Sequence, residues 1–264
     1  MNILKSLFGR QLGLGVDGEL IVPSGKIILG EHGRQSSVAS PHRVVWFDDF
    51  LGDALNVRWN VVEGTDSATS DAAILAGGIG GVLRFTTGDA GTGLAADLIQ
   101  LNLGVLQWQA SNGGLAIEAR FSLSQITEAY AFFGFTDVAT LEAPIVSAAS
   151  ADTLTTNATD AVGVMFDTRM TTDKWWLVGV AGNTDATAQN STYAPVADTY
   201  EVWRVEVNSS GKATFFRNGL QVGTQMSGAV TAAADLVPTI GFGKLSTASS
   251  ITADLDYIMV EMNR

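Results

Sequence analysis

The sequence predicts an all-β protein, a sandwich of antiparallel strands, and three observations carry the prediction. Residues 200–207 alternate, with Tyr200, Val202, Arg204 and Glu206 on one face and Glu201, Trp203, Val205 and Val207 on the other. That period of two belongs to a strand with one face in a core. Asn218-Gly219 then separates two further short runs, and this dipeptide favours a two-residue hairpin because both central residues need positive φ. No helical period is sustained anywhere, and 29 glycines punctuate the chain at turn-like intervals.

The elements follow in order. Arg43 to Phe50 and Val57 to Gly64 read as the first body strands, followed by Ala72–Ala76 and Gly81–Gly88, which are broken by glycine pairs. Leu94–Asn102 is a further candidate. Leu115–Leu123 alternates, with Leu115, Ile117, Ala119, Phe121 and Leu123 on one face. Tyr130–Phe135 is a nearly unbroken apolar run, as a strand covered on both faces shows. Residues 137–160, rich in Ala, Ser, Thr and Asp, read as a long surface loop with little regular structure. Ala161–Arg169 and Trp175–Ala181 resume the strand pattern, and residues 182–197 form a second polar loop. The meander of 200–224 comes next, with Asn208-Ser209-Ser210-Gly211 and Asn218-Gly219 as its turns. Leu236–Leu245 and Asp254–Glu261 close the body. The spacing of roughly a dozen strands fits a β-sandwich.

Composition narrows the function. With 264 residues and no cysteine, the chain can bury a core without disulfides. A net charge of −12 argues against nucleic acid or an anionic membrane as partner of the body. The charge is uneven. Residues 1–43 hold five basic and three acidic side chains, +2, so the remainder carries −14. Residues 1–11 lack the continuous apolar run of a secretory signal, and no window reaches the apolar length of a membrane span.

The first 43 residues read as an arm distinct from the body at 44–264. Leu20-Ile21-Val22 and Lys26-Ile27-Ile28-Leu29 are short apolar strands around Pro23-Ser24-Gly25. A hairpin this small needs a partner surface, and Gln35–Pro41 reads as a linker. The hairpin either packs on its own domain or, the reading the linker favours, orders against another subunit or protein, burying Leu12, Leu14, Leu20, Ile21, Val22, Ile27, Ile28 and Leu29.

Several segments resemble the concanavalin A-like (laminin-G/glucanase-type) jelly roll. They are Trp46-Phe47-Asp48-Asp49-Phe50 with Arg58-Trp59, Gly81–Phe85 and Gly114–Phe121. Trp203–Val207 with Phe215-Phe216-Arg217-Asn218-Gly219, and Asp254–Val260, complete the set. The resemblance covers roughly 44–264 and implies two antiparallel sheets, with the N-terminal segment as an extended β arm. The arm, Gly-x-Leu-x-Val-Pro-Ser-Gly-Lys-x-Ile-Leu-Gly, is similar to β segments of fibre and decoration proteins of tailed bacteriophages.

A search for chemistry finds little. The glucanase branch of the resembled fold carries Glu-x-Asp-x-(x)-Glu on one strand, and a retaining mechanism needs two carboxyl groups close together. Here Glu118 stands alone before Arg120, and Asp254, Asp256 and Glu261 are differently spaced. Both histidines, His32 and His42, lie in the arm, and no Gly-x-Ser-x-Gly elbow occurs. Asp48, Asp49 and Asp256 sit where the resembled fold often holds calcium, although carboxylates accepting backbone hydrogen bonds explain them better. Trp108, Trp175, Trp176, Tyr130 and Tyr193 are candidates for stacking on a sugar, against core packing as their commoner fate. In a strand, Trp175 and Trp176 point to opposite faces, so one is expected buried and the other exposed as a ligand contact. Arg204 and Glu206 are expected to form a solvated pair.

The reading that results is a non-enzymatic capsid decoration protein of a bacteriophage, a homotrimer on the outer surface of the virion. It needs no cofactor, and its arm binds the major capsid protein. The alternative is a head- or tail-fibre module that binds a host-surface glycan or receptor.

Overall fold

The computed structural model describes residues 43–263, apart from 66–67, 78–79, 90, 92, 141–142, 151 and 246–248, and the backbone of four short strands in the first 27 residues. The chain divides into two compact units, one within Met1–Val44 and one spanning Val45–Asn263.

In the first unit β1 (Ile3–Lys5), β2 (Gln11–Leu14), β3 (Leu20–Val22) and β4 (Gly25–Ile27) form an antiparallel meander in that order. The expected hairpin is present, with Leu20 opposite Ile27 and Val22 opposite Gly25. The sequence reading did not foresee β1 and β2, which pair Ile3 with Gly13 and extend the sheet through Gly13 opposite Ile21. Of the residues expected to bind a partner, Ile28 and Leu29 lie outside the described residues. The side chains of Leu12, Leu14, Leu20, Ile21, Val22 and Ile27 do as well.

The body begins with β5 (Arg43–Asp48), β6 (Asn60–Glu63), β7 (Asp71–Ile74), β8 (Leu83–Thr86) and β9 (Ile99–Asn102). Next come β10 (Leu115–Leu123), β11 (Ala129–Thr136), β12 (Val146–Ser150), β13 (Thr153–Thr156), β14 (Ala161–Asp167) and β15 (Trp175–Ala181). The rest are β16 (Thr184–Asp185), β17 (Gln189–Asn190), β18 (Glu201–Val207), β19 (Ala213–Arg217), β20 (Leu220–Met226), β21 (Val237–Lys244) and β22 (Thr252–Asn263). Sheet I runs β20-β19-β18-β10-β22-β8-β7, with β5 also on β22. Sheet II runs β16-β15-β14-β11-β21-β9-β6, with β17 also on β15. Neighbours in space are mostly distant in sequence, as the crossing connections of a jelly roll require.

The meander at 200–224 forms as its alternation predicts. Glu201, Trp203, Val205 and Val207 are buried while their alternates are not. Asn218 and Gly219 take φ of 50° and 79°, the left-handed conformation of a tight hairpin. The Asn218 side-chain oxygen accepts a hydrogen bond from the Val202 N–H at 2.9 Å, tying the turn back to β18.

Between the sheets lies an aromatic core. Trp175 packs against Trp203 at 5.5 Å between ring centroids and edge-on against Phe121 at 5.8 Å, while Phe85 meets Phe242 at 5.0 Å. Each such ring contributes about 1.5–3 kcal/mol through burial, and tilted and edge-on contacts are the geometries their quadrupoles favour.

A second core covers the outer face of sheet II. Tyr130, Phe132, Met165, Trp176, Val178 and Val180 point away from the first core and pack under Leu94, Leu98, Ile145, Val146, Ala148 and Ala158. Hence β11, β14 and β21 are buried along their whole length, which is what the apolar run of 130–135 encodes. The same layer corrects the reading of 137–160 as irregular surface. This segment contains the β12–β13 hairpin, and its apolar side chains form the upper half of a hydrophobic layer.

Candidate functional site

The β12–β13 hairpin is fixed to sheet II by polar contacts. The Tyr130 hydroxyl donates to the Val146 carbonyl at 2.9 Å, and the Ala148 N–H donates to Asp167 Oδ2 at 2.9 Å. Asn157 closes the base of the hairpin, its N–H on Ile145 O at 2.9 Å and its side-chain amide on Pro144 O at 2.8 Å. On the opposite side, residues 94–98 are seated close to β21 because Gly243 has no side chain. A Cβ there would run into Leu94.

Between hairpin and loop lies a cleft of about 660 Å³, within the size range of ligand pockets. Leu94, Ala95 and Pro144 supply apolar wall, Thr65, Ser147, Thr155 and Asn157 supply neutral polar groups, and Arg169 supplies the charge. Arg169 follows β14 by two residues and turns back on Asp167. Its Nε donates to Oδ1 at 3.0 Å and its Nη2 to Oδ2 at 2.7 Å. The Asp167 side chain is fully buried, whereas that of Arg169 is 41% exposed. These hydrogen bonds hold the Arg169 guanidinium above its ordinary pKa. Burial, and secondarily the Asp167 charge, push the Tyr130 hydroxyl well above its ordinary value. The sequence reading did not single out Arg169. The available signal was local, an Asp-x-Arg ending an apolar strand, but the cleft depends on Ala148, nineteen residues away from Asp167.

The expected aromatic contact is not where the sequence placed it. Trp175 and Trp176 do point to opposite faces, but both are buried, at 1% and 8% exposure. Trp175 fills the inter-sheet core and Trp176 the second core, so neither ring can stack on a surface ligand. Alternation decides which face a side chain takes, and not whether that face is covered. Tyr130 and Trp108 are also buried, while Tyr193 remains 41% exposed with the Arg217 guanidinium 4.6 Å from its ring centroid.

A second polar region occupies the outer face of sheet I. Arg204 Nε donates to Glu206 Oε1 at 2.7 Å, and the same guanidinium lies 3.7 Å from Glu118 and 3.8 Å from Glu261. The Tyr257 hydroxyl donates to Glu118 Oε1 at 2.9 Å, and burial, followed by this bond, raises its pKa. Arg84 pairs with Asp254 and Arg120 with Asp256. Arg204 and Glu206 do pair, but as part of this lattice. Asp256 is therefore engaged by an arginine, and Asp48 accepts from Trp59 Nε1 at 2.7 Å and the Phe50 N–H at 2.9 Å. Among the described residues no three acidic or histidine side chains converge as a metal-ligand set.

No family model matches the chain, and no curated protein matches it. Solved structures do. The carbohydrate recognition domain of Emp47p is similar at a TM-score of 0.53 and 11% identity, over 83% of this chain and 94% of that one. A β-1,3-glucanase from Mycobacterium marinum is similar at 0.52 and 10%, over 84% and 99%. An endo-β-1,4-glucuronan lyase from Trichoderma reesei is similar at 0.53 and 12%, over 82% and 94%. The body is thus an all-β jelly roll of two antiparallel sheets, of the concanavalin A-like kind shared by lectins, glucanases and lyases. At these identities the likeness is one of fold.

The comparisons correct the expectation of a non-enzymatic protein. Glucanase and lyase chains share nearly the whole body fold, so neither the architecture nor a missing linear motif excludes catalysis. Carboxylates can also converge from separate strands. Glu118, Glu206 and Glu261 lie on three different strands and meet around one arginine, an arrangement no single-strand spacing reveals.

Proposed function

We propose that the chain is a glycan-binding module whose ligand lies in the cleft between the β12–β13 hairpin and residues 93–96. The observation that carries this reading is Arg169: a half-exposed side chain, its guanidinium locked in one orientation by a fully buried carboxylate, on the wall of an open cleft with room for a few sugar rings. Fixing the side chain before a ligand arrives removes much of the ordering cost of binding. The neutral hydroxyl and amide groups that share the lining suit sugar hydroxyls, and Leu94 and Pro144 suit the apolar faces of the rings. Lectins and polysaccharide-acting enzymes among the structural neighbours support the reading. The test is a glycan array probed with the full chain. Saturable binding to a defined set of structures is expected, and no binding to any glycan sinks the proposal.

A second proposal concerns the setting, and the division of the chain into two compact units favours it. The arm attaches the module to the outside of a bacteriophage particle, as a trimeric decoration or fibre protein bound to the major capsid protein. Removing residues 1–42 is then expected to leave a folded body that still binds glycan but no longer joins particles. A truncated body that decorates particles normally would refute it.

A further inference from the structure

We infer that the glycan taken in this cleft is acidic and that Arg169 reads its carboxylate, an inference resting on the glycan-binding reading above. The Asp167 carboxylate is fully engaged. Its Oδ1 accepts from the Arg169 N–H and Nε–H, each at 3.0 Å, and its Oδ2 accepts from the Ala148 N–H at 2.9 Å and Arg169 Nη2 at 2.7 Å. A carboxylate has about four acceptor sites, and all four are used within the protein. Asp167 therefore offers nothing to a ligand and acts as a positioning residue.

What the pair offers the cleft is donors only: both hydrogens on Nη1 and the second hydrogen on Nη2. This is the planar edge that meets a carboxylate with two parallel hydrogen bonds. A neutral hydroxyl can use one of these donors but leaves the others unpaired. The rest of the lining agrees. Among the described residues that line the cleft, Arg169 is the one charged group, beside Thr65, Ser147, Thr155, Asn157 and small apolar residues, so the lining offers an anion a cation and neutral polar partners. The side-chain NH₂ of Asn157 is bound to Pro144, which fixes the amide at the wall. The net acidity of the body acts on a ligand here only through charges within about 8 Å, since more distant ones are largely screened at physiological salt.

The experiment is titration calorimetry of the full chain with oligoglucuronate, oligogalacturonate and oligomannuronate, each beside its carboxyl-reduced neutral counterpart. At least one acidic oligomer is expected to bind about tenfold or more tighter than its reduced form, reflecting a charged two-point contact. R169K keeps the charge but loses the planar edge, and is expected to lose most of that preference. In D167N/R169Q both charges are removed, so no carboxylate is left buried without a partner. With its fold verified by thermal melting, it is expected to bind the acidic and reduced forms alike. Equal affinity of the wild type for acidic and reduced oligomers overturns this inference while leaving glycan binding intact, and so does a double variant that retains the preference. Silence toward every glycan, acidic or neutral, overturns the underlying reading instead.

Discussion

Replacing Trp176 by alanine measures how completely the outer face of sheet II is covered. The indole is 8% exposed and belongs to the buried apolar cluster, with Met165 opposite it on β14 and Val178 on the same face of β15, so its removal opens a cavity whose floor is a hydrogen-bonded sheet and cannot collapse. Such truncations of large aromatics cost about 3–5 kcal/mol. The Nε1 hydrogen bond to Thr172 O, at 3.4 Å, is long and adds little. A ring on an exposed face would cost no more than about 0.5 kcal/mol. With an m-value of about 3 kcal/mol/M in urea for a body of this size, the midpoint is expected to fall by about 1–1.7 M. Urea titrations followed by far-UV circular dichroism, with W176F as a partial-filling control, read this directly. A shift below about 0.2 M at unchanged m would refute the second core.

Other consequences are equally direct. Burial raises the Tyr130 pKa above its unfolded value of about 10. Its contribution to stability is thus fully present below that pH and lost as pH climbs toward the folded value. Y130F is expected to cost about 1 kcal/mol at neutral pH, for the bond to Val146, and to flatten the loss of stability above pH 10. An alkaline profile identical to wild type would contradict this. Glu201 is nearly buried and accepts from Arg217 at 2.8 and 3.0 Å and from Trp203 Nε1 at 3.1 Å. E201A is expected to cost about 3–5 kcal/mol in urea unfolding, and E201L/R217M to recover most of it; equal losses in both would refute the pairing argument. G219A, at φ 79°, is expected to cost about 1 kcal/mol, while a neutral effect would mean that the turn differs from the one described.

What could be read from the sequence was what is local. The meander of 200–224 was legible because alternation and an Asn-Gly turn act over a few residues, and the closing strand with Asp254 and Asp256 was legible on the same grounds. Even Glu201, a charged residue on the inward face, was assigned correctly by periodicity. Its partner Arg217 lies sixteen residues on and explains why it is tolerated there. The second core was illegible because Ala148 and Ala158 look like loop composition until the outer face of sheet II is laid beneath them. That hidden layer also misplaced Trp176, since a period of two says nothing about a third layer. The cleft was invisible for the same reason. Arg169 gains meaning only when Asp167 is buried by a hairpin that begins twenty-one residues earlier. The carboxylates around Arg204 come from three strands that sequence alone does not place side by side.

The most direct test of the account is to find where a glycan touches the molecule. Amide chemical-shift mapping of the full chain, with the strongest hit from a glycan array, locates it residue by residue. The account predicts perturbations confined to Thr65, 93–96, 143–149, 155–157 and Arg169. Perturbations centred instead on Glu118, Arg204 and Tyr257 across sheet I, with the cleft silent, would contradict it.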